Sequence, residues 1–294
     1  MRLHSSKKTS LILLFLLFAV CYFPFTAVIY AEDPPQRIIS LAPNITEILF
    51  ALGLDKRIAG VTSYCDYPEE AEKKQKIGGM SNPSLEAVVS LKPDMVVMTT
   101  DGNPKEFEER LRSMNIRTYV FTAKRISELP MGIRKLGTAL GVNRKAEELA
   151  NSVEKALDGI RNRRSAGRGP HPATGLKKKK VLFIVWPEPL IAAGPGTVID
   201  DALALVGVEN IAADAAAQYP KYSIEEVLRR SPETIIIGKG TGMEEVSQGL
   251  LKRLKNLPAI KRKHLYFVSD DLYRLGPRTI GGIEEISSIL EKEQ

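Results

Sequence analysis

Aromatic and charged side chains collect in short segments that adjoin predicted strands and helices. They are Tyr64 and Asp66, Trp186, Tyr219 and Tyr222, Asp270 and Tyr273, and Arg274 and Arg278. Aromatic rings stack on ligands and guanidinium groups bind anionic ligand groups, so these residue types suit a binding cleft. Loops that follow parallel strands face ligand crevices, so the positions suit a cleft as well. The alternatives are that the tyrosines pack on their own lobe, that Trp186 belongs to the core and that Arg278 faces water.

Residues that would support catalysis are few. The chain has three histidines, His4, His171 and His264, and only the last lies outside an N-terminal leader and a basic loop. A transition-metal site built on histidines is therefore not expected. A dyad of Cys65 and His264 would need an orienting partner that spacing cannot reveal. The sequence predicts a protein that is not an enzyme and that holds neither a metal nor a cofactor.

An internal repeat supplies a second pair of candidate residues. The stretch at 84–98 returns without a gap at 223–237. Each copy is typical of a helix with a serine cap, followed after a proline by a short buried strand. Glu86 and Glu225 are the second residues of the two helices. One interpretation is that these two carboxylates only stabilise the positive ends of their helices. The other is that they bind arginines of a partner protein, with one exposed acid on each lobe.

Short apolar runs alternate with amphipathic stretches, which predicts parallel sheets covered by helices. The predicted strands of a first lobe are 37–41, 57–61, 94–98 and 116–121, and those of a second lobe are 180–185, 234–237 and 264–268. Between the lobes, an apolar stripe from Ala146 to Ile160 predicts one long helix with Asn143 as its cap. About 20 residues at 1.5 Å each give a strut of roughly 30 Å that resists bending. The predicted fold class is α/β, with two Rossmann-like lobes of parallel sheet joined by this helix.

Composition divides the chain into five segments. Residues 1–31 are predicted to be a signal peptide or membrane anchor, because basic residues precede an uncharged run at 11–31. A lipoprotein cysteine at Cys21 is a third version of this segment. The first lobe is predicted at 32–126, helices including the interlobe helix at 127–164, a basic flexible loop at 165–179 and the second lobe at 180–294. All three interpretations of residues 1–31 place the folded part of the chain in the periplasm or at the outer face of the cytoplasmic membrane.

The net charge of +7 does not indicate a nucleic-acid partner. The leader has three basic residues, and residues 161–180 have four Arg and four Lys, with no acid in either segment. The rest of the chain is therefore mildly acidic. The basic loop is either a tolerated insertion or a contact for anionic lipid headgroups. Beyond the leader Cys65 is the only cysteine, so no intramolecular disulfide is expected.

Three short stretches carry a resemblance to a known family. They are R-I-I-S-L-A-P-N-I-T-E at 37–47, S-Y-C-D-Y-P at 63–68 and E-N-I at 209–211. With them the chain resembles the periplasmic substrate-binding proteins of ABC importers for cobalamin, siderophores and haem, whose two lobes are joined by one backbone helix. The likeness covers nearly all of the chain after the leader. The second and third stretches are most similar to the cobalamin-binding branch.

The resemblance implies a monomeric cleft binder that performs no chemistry and whose ligand is a cobalt corrinoid. It implies that Tyr64 contacts the corrinoid and that Asp270, Arg274 and Arg278 lie at the same rim. The chain departs from the cobalamin-binding branch at Met80 and Thr99, which stand where a cobalamin binder often has tryptophans. The two missing rings matter because each stacked ring contributes about 0.5–1.5 kcal/mol to binding beyond burial. Haem and ferric siderophores therefore remain as alternative ligands.

The resemblance also implies partners. Glu86 and Glu225 would engage arginine pockets of a membrane permease that works with an ATPase, and Tyr219 or Tyr222 would supply the aromatic ring of the second lobe. The alternative function is a membrane-tethered ligand sensor that uses the same lobes without a transporter.

Overall fold

The first lobe is built on a parallel four-stranded sheet. The computed structural model describes residues 33–165, 178–239 and 243–293. The strands of this sheet are β1 (Ile38–Ser40), β2 (Ile58–Val61), β3 (Met95–Thr99) and β4 (Thr118–Phe121), in the order β2-β1-β3-β4. Every residue of β1 and β3 is buried, as in a sheet that is covered on both faces. All four strands lie within two residues of their predicted bounds.

Helices alternate with these strands, as the sequence predicts. They are α1 (Pro43–Ala51), α2 (Glu69–Glu72), α3 (Leu85–Ser90), α4 (Lys105–Ser113) and α5 (Leu129–Ala139). Short 3-10 turns at Asp55–Arg57 and Ile126–Glu128 lead into β2 and α5.

The second lobe repeats the design with an additional antiparallel edge. Its strands are β5 (Lys180–Pro187), β6 (Leu190–Ala192), β7 (Glu209–Asn210), β8 (Thr234–Gly238) and β9 (Leu265–Val268). The order is β6-β5-β8-β9, and β7 also pairs with β5. Its helices are α7 (Val198–Val206), α8 (Ile224–Arg230), α9 (Met243–Arg253), α10 (Pro258–Lys261) and α11 (Thr279–Glu291). The sequence does not predict β7 or the antiparallel β6.

One helix, α6 (Asn143–Ser165), connects the lobes. Its 23 residues span about 35 Å. The predicted apolar stripe is the buried face: Ala146, Ala150, Val153, Leu157 and Ile160 are all buried. These residues belong to one hydrophobic cluster that also contains core residues of both sheets. The helix is therefore packed into the molecule along its length rather than exposed as a linker, and the α/β prediction of two lobes joined by one helix is confirmed.

The internal repeat corresponds to equivalent elements. Helices α3 and α8 precede the central strands β3 and β8. The Ser84 hydroxyl accepts a hydrogen bond from the Ala87 amide at 3.2 Å, and the Ser223 hydroxyl accepts one from the Glu226 amide at 3.1 Å. Both predicted serine caps are therefore present.

Two predicted segments cannot be placed. The leader at 1–31 and most of the basic loop at 165–179 lie outside the described residues, and the predicted segment boundaries stay predictions. None of the helices that the structure describes has the length and hydropathy needed to cross a membrane.

Candidate functional site

A cleft between the two lobes encloses a cavity of about 670 Å³, a size within the range of small-molecule sites. The predicted binding residues on its lining are Tyr64, Met80, Thr99, Tyr219, Tyr273 and Arg274. The first lobe contributes residues after β2 and at the end of β3. The second lobe contributes the loop before α8 and the turn after β9. The chain thus brings together residues that are far apart in the sequence.

Five predicted binding residues do not line this cavity: Asp66, Trp186, Tyr222, Asp270 and Arg278. Trp186, near the end of β5, is 45% exposed and its indole N–H donates to the Glu188 carbonyl at 2.8 Å. The Tyr222 hydroxyl donates to the Ile211 carbonyl at 3.4 Å, and the guanidinium of Arg230 lies 5.5 Å from the centre of its ring. Tyr222 is therefore held within its own lobe, one of the alternatives that the sequence leaves open.

The sequence misses several polar residues of the same lining: Asn44, Asp101, Lys124 and Gln218. The first three lie a few residues after β1, β3 and β4. The rule that the ends of parallel strands face a ligand would have found them. Gln218 lies in a loop that carries no comparable signal.

Asn103 fixes three of the loops around the cleft. Its side-chain oxygen accepts from the Thr99 amide at 2.8 Å. Its amide nitrogen donates to the carbonyls of Leu41 and Met80, each at 2.9 Å. The loops after β1 and β3 and the Met80 segment are therefore tied to one side chain, which pre-organises the wall of the first lobe.

Tyr273 is the most confined aromatic residue of the cleft. Its ring meets Phe183 edge-on, with centroids 6.2 Å apart. Its hydroxyl lies against Gly238, where a Cβ atom would clash with it. Burial raises the pKa of Tyr273, and it also raises that of Tyr219 on the opposite part of the lining. Both phenols therefore stay neutral at physiological pH.

Arg274 joins the lobes through two carboxylates. Its Nη1 donates to Asp66 Oδ1 at 2.8 Å and lies 3.6 Å from Glu47 Oε1. Burial raises the pKa of Glu47 to about 7, against the charges of Arg278 and Arg274, which lower it. Burial also acts on Asp66, but the hydrogen bond and charge of Arg274 hold its pKa below the usual value. The structure therefore pairs two predicted binding residues, Asp66 and Arg274, with each other.

Arg278 and Asp270 form a neighbouring pair. Arg278 Nη2 donates to Asp270 Oδ1 at 2.8 Å, and its Nε donates to Asp271 Oδ1 at 2.8 Å. The guanidinium stacks on the Tyr67 ring at 4.3 Å. This side chain lines a second cavity, of about 540 Å³, together with Tyr67 and Glu47. Neither Asp270 nor Arg278 lines the larger cleft.

Another contact between the lobes involves Asp201 of α7. Its Oδ1 accepts from Arg125 Nη2 at 2.7 Å, and its Oδ2 accepts from the backbone amide of Ile126 at 2.8 Å. Lys124 and Val198, which flank these residues, belong to the cleft lining. The contact therefore lies directly beside the cavity.

The two acids of the repeat are exposed at equivalent positions. Glu86 and Glu225 are the second residues of α3 and α8. The Glu225 carboxylate accepts a hydrogen bond from its own backbone amide and one from Ser223, and these bonds hold the pKa of Glu225 below its usual value. It is therefore ionised at neutral pH and accessible to a cationic partner.

The candidate catalytic dyad is not assembled. The Cys65 thiol is buried in the first lobe, where the Thr46 hydroxyl donates to it at 3.1 Å. His264 lies in the second lobe at the start of β9, where its Nδ1 is 3.3 Å from the Glu233 carbonyl. The Cys65 thiol has the hydroxyls of Thr46 and Thr62 as its described partners, and the described contacts of His264 do not include this thiol.

Two α/β lobes that face each other across a ligand-sized cleft, joined by one packed helix, define a ligand-binding protein. The chain belongs to the periplasmic binding protein family, which it matches over residues 38–272. It is a non-enzymatic transport component, as the sequence predicts.

Known proteins resemble the chain along most of its length. It is 30% identical over 257 residues to the vitamin B12-binding protein of Pectobacterium atrosepticum, covering 87% of this chain and 88% of that protein. The crystal structure of the periplasmic vitamin B12-binding protein of Vibrio cholerae has a TM-score of 0.77 at 25% identity, covering 89% and 99% of the two chains. The periplasmic heme-binding protein of Roseiflexus sp. RS-1 has a TM-score of 0.76 at 28% identity, covering 87% and 98%.

Proposed function

We propose that this protein is the substrate-binding subunit of an ABC importer and that it captures a corrinoid such as cobalamin outside the cytoplasmic membrane. The cleft takes up the ligand between the lobes, and the protein then delivers it to a membrane permease coupled to an ATPase. The similarity to vitamin B12-binding proteins supports this ligand class. The observation that carries the proposal is the chemistry of the cleft lining.

Most polar groups on the described lining are neutral. They include the hydroxyls of Tyr64, Thr99 and Tyr219 and the amides of Asn44 and Gln218. A corrin ring has carboxamide side chains around its edge, and neutral hydroxyl and amide groups are suitable partners for them. The tyrosine rings supply the stacking surface that a flat macrocycle requires.

The charges on the lining also favour a neutral macrocycle. Among the described lining residues the charged ones are Asp101, Lys124 and Arg274. Asp66 already pairs with Arg274 at 2.8 Å, so this guanidinium is not a free clamp for an anion. Haem carries two carboxylates, which bind best to unpaired cations, and Lys124 is the one cation of the described lining left for them.

Haem is nevertheless the second candidate ligand, because one observation favours it. The Tyr64 side chain is 62% exposed and lines the cavity, so its phenol oxygen is accessible to a ferric ion. The similarity to a heme-binding protein supports the same alternative.

Delivery depends on the exposed acids of the repeat. Glu86 and Glu225 present one carboxylate per lobe, and we assign them to docking on cationic pockets of the permease. The cleft residues remain available to the ligand because the two acids lie on α3 and α8 and not on its lining.

Direct titration tests the ligand. The purified exported protein is titrated separately with cyanocobalamin, haemin and a ferric siderophore, and the heat of binding is measured. We expect saturable one-to-one binding of cyanocobalamin. Binding of haemin without any binding of cyanocobalamin would replace the corrinoid by haem, and no binding of any of the three would overturn the proposed ligand class.

A further inference from the structure

Contacts between the two lobes come from segments that follow the outer strands of the two sheets. In the first lobe the sheet order is β2-β1-β3-β4, so β2 and β4 are the outer strands. In the second lobe the order is β6-β5-β8-β9, so β6 and β9 are the outer strands. Three strand spacings of about 4.8 Å separate the outer strands of each sheet by roughly 14 Å. Segments that follow these four strands form the contacts between the lobes described below.

The first contact joins the segments after β2 and β9. Asp66 follows β2 and Arg274 follows β9, and the hydrogen bond between them spans 2.8 Å. Glu47 of α1 lies 3.6 Å from the same guanidinium. The Asn44 amide donates to the Leu275 carbonyl at 3.3 Å beside it. We name this group of residues the β2–β9 tie.

The second contact joins the segments after β4 and β6. Arg125 and Ile126 follow β4, and Asp201 lies in α7, the helix that follows β6. Asp201 accepts one hydrogen bond from the Arg125 guanidinium and another from the Ile126 amide, at 2.7 and 2.8 Å. We name these three residues the β4–β6 tie.

The two ties enclose the lining of the cleft. Arg274 of the β2–β9 tie belongs to the lining, and Lys124 and Val198 beside the β4–β6 tie belong to it as well. A single packed helix leaves a rotation of one lobe about the helix possible. The two ties, on opposite edges of each sheet, oppose that rotation, and on the β2–β9 side Arg278 adds its stack on the Tyr67 ring at 4.3 Å.

We infer that the two ion-paired ties, and not α6 alone, set the width of the cleft, with Asp66 and Asp201 as the positioning residues. Opening the cleft on one side requires breaking the β2–β9 tie, and opening it on the other requires breaking the β4–β6 tie. The Asp66 side chain is 55% exposed and the Asp201 side chain 18% exposed. Arg274 is 23% exposed and Arg125 63% exposed, so each tie has one exposed partner and water screens the two ion pairs to a similar extent.

Only the ligand part of this inference rests on the proposed function, because the spacing of the lobes can be measured without a ligand. Trp186 in the second lobe is the only tryptophan of the chain and serves as the energy-transfer donor. An acceptor is attached in the first lobe at Lys105→Cys on α4, where the side chain is 84% exposed. Cys65 is buried, and Cys21→Ser removes the other thiol.

The variants are Asp66→Ala, Asp201→Ala and the two combined. Asp214→Ala is the matched control, because Asp214 forms an equally short pair with Arg230, at 2.6 Å, inside the second lobe. We expect a broader distribution of donor–acceptor distances in each single variant, the broadest in the double variant, and no change in the control.

Arg125→Ala, which leaves the Ile126 bond to Asp201 in place, is the second variant for the β4–β6 tie should Asp201→Ala fail to fold. A double variant that folds and has the distance distribution of the unmodified protein would overturn the inference.

The ligand part is measured as the dissociation rate of cyanocobalamin. Loosened lobes release the ligand faster, and we expect an increase of about 3-fold to 10-fold for each single variant, with a smaller change in the association rate. An unchanged dissociation rate in the double variant would contradict the role of the ties in ligand retention. If the unmodified protein binds no corrinoid, the proposed ligand fails, and the energy-transfer measurement still decides whether the ties set the cleft width.

Discussion

The Glu47 carboxylate of the first lobe lies 3.6 Å from the Arg274 guanidinium of the second lobe, although only 4% of its side chain is exposed. Glu47 also lies 3.7 Å from Arg278, and the acids Asp270 and Asp271 act on it as well. A carboxylate at this position has lost most of its hydration, and two arginines recover only part of that cost. This balance makes the stability of the protein depend on pH in an unusual direction.

Glu47 should make the protein less stable as the pH rises. Its pKa is raised from 4.5 to about 7 in the folded state. The folded state therefore holds the proton more tightly, so the stabilising contribution is complete below pH 4.5 and is lost as the pH rises through about 7. Glu47→Gln removes this dependence. We expect the difference in free energy of unfolding between variant and parent to change by up to about 3 kcal/mol across this interval.

Urea unfolding at a series of pH values measures this difference. Glu226→Gln is the control, because Arg229 and Arg230 lower the pKa of Glu226 to about 2. A lowered pKa gives a contribution that is present above pH 4.5 and is lost only in acid, so this control should show a constant difference across the same interval. Equal pH profiles for Glu47→Gln and its parent would contradict the burial argument.

Glu86→Ala and Glu225→Ala should separate docking from ligand binding. Each change removes an exposed acid from the second position of a helix, so the fold and the cleft should be unaffected. We expect ligand affinity within about 2-fold of the parent, because surface changes of this kind have small effects. Association with the permease in membrane vesicles should be strongly weakened, and more so in the double variant.

Glu106→Ala is the matched control for docking. Glu106 is an exposed acid at the second position of α4, a helix outside the repeat. Loss of any first-turn acid costs a similar small amount of helix stability. If Glu106→Ala weakened permease association as much as Glu86→Ala, the docking assignment would fail and only the stabilising role would remain.

Much of the fold is predictable because its elements carry strong local patterns. Strands β3 and β8 are buried runs of apolar residues, and α6 has an apolar stripe with the period of a helix. Strands β6 and β7, at three and two residues, are too short to show any periodicity.

The candidate site is predictable only in part. Strand ends identify most of the cleft, because parallel strands end at a common edge. The pairing of Asp66 with Arg274 cannot be predicted, since the two residues are 208 positions apart and no local pattern links them. Tyr219 and Tyr222 belong to the same short loop, so the sequence does not distinguish them. In the structure the Tyr222 ring packs against Arg230 and does not line the cleft. Residue type and local spacing therefore identify candidates, while the arrangement of the two lobes selects among them.

Substitutions of Tyr64 should distinguish stacking from metal ligation. Tyr64→Phe keeps the ring and removes only the phenol oxygen. A stacked corrinoid should therefore bind to this variant with nearly unchanged affinity, whereas Tyr64→Ala should lose about 0.5–1.5 kcal/mol beyond the lost burial. Isothermal titration with cyanocobalamin measures both. If the ligand were haem held through the Tyr64 oxygen, Tyr64→Phe would instead abolish the phenolate absorption band of bound haemin.

Leu157→Ala should destabilise both lobes together. Leu157 is 2% exposed on α6 and belongs to the hydrophobic cluster that contains Val97 of the first sheet and Phe183 of the second. A leucine truncated in such a core costs about 2–5 kcal/mol. Because the cluster is shared, the loss acts on both lobes. Trp186 fluorescence from the second lobe should therefore change at the same urea concentration as the far-ultraviolet circular dichroism of the whole chain.

Lys155→Ala, on the exposed side of the same helix, is the control and should leave the free energy of unfolding within about 0.5 kcal/mol of the parent. Two separate transitions in Leu157→Ala would mean that the lobes unfold independently and that α6 does not couple them.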